Sequence, residues 1–154
     1  MEVRGPSSPI MLAVMLIAGM ATTGYGVYEY QAQNLALENA QEVEATIISK
    51  GVESHSARRG VDYRPTVEFS YSYEQKKYTG EKVFPGTSTK DFNTEDAARQ
   101  QISNYTEGET TTAYLDPENP ENAFLKHQGT NTPYILTLIG LFITALTSYK
   151  AVTR

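Results

Sequence analysis

The sequence predicts a membrane-anchored α+β protein, in which two transmembrane helices flank a small antiparallel β-rich extracytoplasmic domain carrying one helix. Three observations predict it. Residues 9–28 and 133–149 are free of charge, while the stretch between them is polar. Within that stretch Val67, Phe69, Tyr71 and Tyr73 alternate with Glu68, Ser70 and Ser72, the pattern of a half-buried strand. One segment beyond it, residues 93–108, has helix punctuation at both ends.

The first apolar block starts at Ser8–Pro9, an N-cap followed by a proline at the first helical position. As a helix, residues 9–28 cover roughly 30 Å, the thickness of a hydrocarbon core. Arg4 and the small residues at 18–21 also fit a cleaved signal peptide, and the start resembles a prepilin leader. Pro6 directly after Gly5 and the second block both oppose the leader, and an uncleaved anchor is the preferred reading. The second block repeats the start signal at Thr132–Pro133 and is near the lower length limit for a span. Ala18, Thr22 and Gly26, and likewise Gly140, Thr144 and Ser148, recur at four-residue steps. Such small-residue ridges let helices approach closely in lipid, within one chain or between copies.

Basic residues set the orientation. Residues 1–8 and 150–154 hold Arg4, Lys150 and Arg154 against the single acid Glu2. Both termini are therefore expected in the cytoplasm, with residues 29–132 outside a multi-pass cell-membrane protein. Residues 29–42, rich in Ala, Leu, Gln and Glu without Gly or Pro, are expected to prolong the first helix as a stalk.

The extracytoplasmic domain is expected over residues 43–126, followed by a linker at 127–132. Residues 43–56 are β-branched and read as a strand, with Gly51 as a bulge position. Residues 55–65 read as a polar, basic loop. The alternating strand then turns at 74–77 into a hairpin. In the helix, Asn93 or Thr94 is the N-cap, Glu95 and Asp96 suit the positive end of the dipole, and Gly108 is the stop. Ala98, Ile102 and Tyr105 form its inward stripe. Residues 109–115 form a last strand, and Pro117 and Pro120 end it, because proline cannot donate to a sheet ladder.

The residues at 43–54, 63–84 and 105–125 carry a family resemblance. The last stretch is the most telling: a helix end, a glycine, a strand, then Asp-Pro-Glu-Asn-Pro-Glu-Asn-Ala-Phe-Leu before an apolar span. Over about residues 43–150 the chain resembles the family catalogued as domain of unknown function 3592. The resemblance implies one or two membrane helices joined to a small β-rich domain, and it supplies no activity.

Composition narrows the chemistry. The 154 residues make room for about one domain. No cysteine is present, which excludes disulfides, thiol nucleophiles and thiolate metal sites. The net charge of -5 opposes nucleic acid as a partner. No phosphate loop, nucleophile elbow or paired-histidine motif occurs, and His55 and His127 are widely separated. The chain is therefore expected to be no enzyme and to need no cofactor. Asp116, Glu118 and Glu121 are the weak candidates for a metal, although the stretch lacks the glycine bend of a calcium loop. Asn104 opens an N-glycosylation tripeptide.

Besides membrane lipid, the expected partner is another envelope protein, for which the chain would act as accessory or scaffold subunit. Tyr71, Tyr73 and Tyr78 on the hairpin and Arg58 and Arg59 in the basic loop are the candidate contacts. The alternatives are self-association through the small-residue ridges and, below that, an envelope ligand or ion sensor using the acidic turn.

Overall fold

A computed structural model describes residues 8–58, 60–87 and 89–153. In chain order its elements are α1 (Pro9–Glu38), β1 (Gln41–Ala57), β2 (Gly60–Tyr73), β3 (Lys76–Gly80), α2 (Glu95–Gln101), β4 (Thr110–Asp116), β5 (Asn119–Phe124) and α3 (Thr132–Val152). The described residues fall into two units. One comprises those up to Gln31 together with those from Asn131 onward, and the other is Ala32–Thr130.

In the helical unit, α1 and α3 are each long and apolar enough to cross a membrane. Most of their large apolar side chains are exposed, among them Ile10, Val14, Ile17, Leu138, Phe142 and Leu146. What the two helices bury against each other is small. A Cβ added to Gly19 would lie 2.6 Å from Thr144 Oγ1, one on Gly26 2.4 Å from Thr137 Oγ1, and one on Gly140 2.3 Å from Thr23 Oγ1. Each threonine in this seam hands its hydroxyl to the carbonyl four residues back: Thr23 to Gly19, Thr137 to Pro133 and Thr144 to Gly140, all at 2.9 Å. That bond satisfies the hydroxyl without water.

The seam corrects the expected ridges. Gly26, Gly140 and Thr144 lie in it, but on α1 it runs through Gly19 and Thr23 rather than Ala18 and Thr22. Ala18 and Ser148 are exposed, and Thr147 is the buried neighbour of Ser148. A strict four-residue step drifts about 40° round a helix each time, so a straight contact line needs three-residue steps as well. Glu29, three residues past Gly26 on the same stripe and at the start of the expected stalk, is fully buried at 0 % exposure.

The other unit is built on a five-stranded antiparallel sheet of order β3-β2-β1-β4-β5. Ile47 on β1, Val67 and Phe69 on β2, and Ala113 and Leu115 on β4 bury one face, and Ile102 at the α2 end packs with them; Ala98 on α2 is also buried. Thr94 caps α2, its side chain accepting from the Ala97 N–H at 3.3 Å. The tail of α1 joins this unit through a buried clasp. Gln33 Nε2 donates to Thr130 Oγ1, and its Oε1 accepts from the Thr130 N–H, both at 2.8 Å.

Several boundaries differ from the sequence reading. The stalk helix ends at Glu38 and β1 starts at Gln41, before the expected change at 43. The bulge in β1 falls between Ile47 and Ser49, while Gly51 pairs regularly with Thr66. Residues 55–65 are no loop: β1 and β2 run on as an arm that closes on the pair Ala57↔Gly60, with Gly60 at φ 144°. Polar composition hid the arm, in which His55 and Arg64 are partnered by Asp91 rather than merely solvated. α2 stops at Gln101, yet Tyr105 still packs on the core from the turn beyond, and Gly108 at φ 81° leads into β4. The acidic stretch at 116–121 does more than end a strand. Asp116 Oδ1 accepts from the Glu118 N–H at 2.9 Å, the chain reverses, and β5 returns as a fifth strand on the sheet edge, where Pro120 costs no central ladder bond.

Candidate functional site

The arm brings together charges that are far apart in sequence. Its register sets His55 opposite Asp62. Phe92 is held to β2 by two backbone bonds with Tyr63, each 2.8 Å, and this places Asp91 over the arm. Arg64 grips Asp91 with both ends of its fork, Nε to Oδ1 at 2.8 Å and Nη2 to Oδ2 at 3.1 Å. His55 Nε2 lies 3.1 Å from Asp91 Oδ2. The Arg64 hydrogen bonds hold the Asp91 carboxyl below the usual carboxylate range, against desolvation, and the same bonds raise the Arg64 guanidinium.

His55, Asp62 and Asp91 offer ligand atoms within 4.8 Å of one another, the spacing a metal ion needs. The donor set fits a cation poorly, because Arg64 already occupies both Asp91 oxygens and its own charge would oppose an ion there. What the cluster does well is fasten residues 91–92 to the arm. Asp91→Asn is expected to cost about 1 kcal/mol at neutral pH, because the pair is bidentate but partly solvated. The depressed pKa fixes the sign. This stabilisation is present above the unfolded carboxylate value of 3.8 and disappears as pH falls through the lower folded value. Urea unfolding of wild type and variant should therefore differ near neutrality and converge in acid. An equal gap at both pH values would refute the ion-pair explanation.

Beside this cluster the chain leaves the sheet. β3 ends opposite Phe69, Lys82 bridges to Phe124, and the chain rejoins β2 only at Phe92. Between β2 and this detour lies a cavity of about 670 Å³, within the range of small-molecule and peptide sites. Val67, Val83, Phe84 and Ala123 give it an apolar wall, and Glu53, Glu68, Glu81 and Glu121 stand along it. Its basic residues are engaged. Arg64 binds Asp91, Lys82 donates to Gly86 O at 3.2 Å and Asn122 Oδ1 at 3.1 Å, and Lys90 lies over the Phe84 and Phe92 rings.

The structure separates the residues expected to act together. Tyr71 is a core residue at 3 % exposure, and its hydroxyl donates to Pro120 O at 2.6 Å. Its alternation with Phe69 points it inward, which corrects its place among the contact residues. Tyr78 stacks on Tyr71 at 5.5 Å, and Tyr73 and Tyr78 are half-buried against the core. Arg58 is exposed at the arm tip, and Arg59 lies outside the described residues. Asn104 is exposed in the turn after α2. Asp116, Glu118 and Glu121 are not among the described ligand groups that converge. The cavity and the Asp91 cluster were not foreseen. A hairpin closed at Ala57↔Gly60 would have aligned His55 with Asp62 from sequence, but nothing local announces that the chain leaves the sheet after Gly80.

These features define a class: two apolar helices at the ends of the chain and, between them, a five-stranded antiparallel sheet packed with one short helix. The chain belongs to the family described as Domain of unknown function (DUF3592), which matches residues 43–130. The match starts where the resemblance was drawn, at residue 43, and ends before α3 rather than within it. No curated protein matches the chain.

Proposed function

We propose that this chain is a non-enzymatic integral membrane protein that spans the bilayer twice and presents its sheet unit outside the cytoplasm, where that unit binds another envelope protein as an accessory subunit. The observation that carries this is the inverted packing of the helical unit. α1 and α3 bury glycine and threonine against each other and turn isoleucine, valine, leucine and phenylalanine outward, an arrangement suited to lipid and unfavourable in water. The sheet unit has its own apolar core, so it needs no membrane to bury these residues. The basic termini support the orientation.

The absence of cysteine makes the test direct. Cysteine in place of Ser72, exposed on β2, should react with a membrane-impermeant maleimide in intact cells, and cysteine in place of Thr153 should react only after lysis. The reverse pattern would sink the topology. Crosslinking in native membranes should then recover a foreign protein in fixed ratio. Recovery of the bait alone would end the accessory-subunit reading.

A further inference from the structure

We propose that two copies of this chain join through the outer edge of the β1 arm, residues 52–56 of each pairing antiparallel about a two-fold axis at Ser54. This goes beyond the accessory-subunit reading and does not depend on it.

β1 outruns its neighbour on one side. Its pairing with β4 ends at Thr46↔Thr110, Gly108 and Glu109 extend the contact to Ile47, and the arm beyond continues with β2 on its other side. The direction of the backbone groups on the free edge follows from the bonds around it. Tyr63 gives both its backbone bonds to Phe92 on the far side of β2. Ser54, opposite Tyr63, therefore shares no ladder bond with it and turns its own N–H and C=O outward. Alternation turns Val52 and Ser56 the same way, and Lys50 with them, whose N–H leaves the ladder to meet Glu107 Oε1 at 3.2 Å. No described residue bonds to the backbone of Val52, Ser54 or Ser56 on that side. Ser54 and Ser56 are exposed and Val52 is half-buried, so the edge faces solvent. Residues 51–57 contain no proline, and the bulge lies before them. An edge without either protection is a template for another strand.

The edge is its own complement. With Ser54 opposite Ser54, Val52 faces Ser56 in both directions, and each of these residues offers a donor and an acceptor that the other copy satisfies. Glu53 comes opposite His55, a carboxylate across from an imidazole. Two residues past Ser56, Arg58 reaches the level of Lys50, where Glu107 stands on the edge of the other copy. The Lys50 ammonium is held there by the carbonyls of Ile102 and Tyr105. Arg58 and Glu107 form no ion pair with described residues of their own chain, so association gives each an opposite charge. The arrangement is isologous and closes at two copies. The contact is short, and anchoring both copies in one membrane raises their effective concentration.

The test uses the full cysteine-free chain in native membranes. Ser54→Cys should give a covalent dimer with a short bismaleimide, and Ser72→Cys, exposed on β2 at the far end from the arm, should not. Charge reversal fixes the register. Arg58→Glu and Glu107→Arg, each in the Ser54→Cys background, should cut the yield about tenfold. Coexpressing the two should restore it, because every reversed charge then meets its opposite. In detergent micelles Ser54→Pro should weaken the dimer about a hundredfold, since it removes an outward donor from each copy. It should leave the circular dichroism of the monomer unchanged, because that N–H makes no ladder bond. Equal yields at Ser54 and Ser72, yields that charge reversal leaves unchanged, or a mixture that stays monomeric overturn the proposal. A crosslink from Ser54→Cys to a foreign protein in place of the dimer assigns the edge to that protein's strand and overturns it as well.

Discussion

Replacing Gly140 with leucine should part α1 from α3. A Cβ at this position would already lie 2.5 Å from the Thr23 backbone nitrogen and 2.8 Å from Gly19 O, and neither can yield without moving the helix. The full leucine side chain forces the axes apart and removes the contacts at Gly19 and Gly26 with it. In lipid these close van der Waals contacts are most of what holds two helices together, since separated helices bury their apolar surface in lipid equally well. A loss of about 3 kcal/mol is expected, at the upper end for overpacking. The measurement again uses the cysteine-free chain. With cysteines at Thr23 and Thr144, one on each helix, a short bismaleimide should close an intramolecular link in the parent and fail to do so in the leucine variant. An undiminished yield would mean that the seam does not hold the pair. Thr22→Leu, off the seam, should leave the yield intact. The same contacts commit Gly26, Gly140 and Thr144, three of the residues considered for self-association, to packing within one chain.

Phe69→Ala should abolish most of the stability of the sheet unit. Phe69 has 0 % exposure at the centre of the core, beside the Tyr71 ring at 5.8 Å, and its ring fills the space a Gly80 side chain would need. Truncating a buried phenylalanine costs about 3–5 kcal/mol through lost transfer energy and the cavity left behind. Domains of this size have only about 5–15 kcal/mol in total. The urea midpoint of the full chain, followed by circular dichroism of the β signal, should fall sharply or vanish. Gly80→Ala provides the control, since its Cβ would lie 2.4 Å from Phe69 Cζ. Alone it should cost about 1–3 kcal/mol by overpacking. In the Phe69→Ala background, where the ring is gone, most of that cost should disappear. Additive losses would show that the two positions do not share this space.

Several elements could be read directly from the residues because their cause is local. The uncharged runs demand burial in something apolar, so both long helices are legible from composition alone. The alternation from Val67 to Tyr73 specifies a half-buried strand, and Thr94 with its following acids specifies the start of α2, because caps and dipoles act within one turn. The fifth strand was hidden because Asp116 to Pro120 has the chemistry of a turn, and a turn ends one strand whether or not another follows. The arm was hidden for a related reason. His55, Asp62 and Arg64 look like solvated loop charges until Asp91, almost thirty residues further on, is laid across them.

The sequence by itself determined the kind of protein: apolar helices at both ends, an acidic cysteine-free segment between them, and strands whose inward residues are visible in their periodicity. Tertiary structure alone decided which small residues face each other between α1 and α3, because that line depends on how two helices cross and not on either helix's own repeat. It alone decided that Tyr71 is core rather than surface. It alone took the chain off the edge of β2 after Gly80, to bridge Phe124 from Lys82 and to return to Tyr63 at Phe92, because those pairings join segments far apart in sequence.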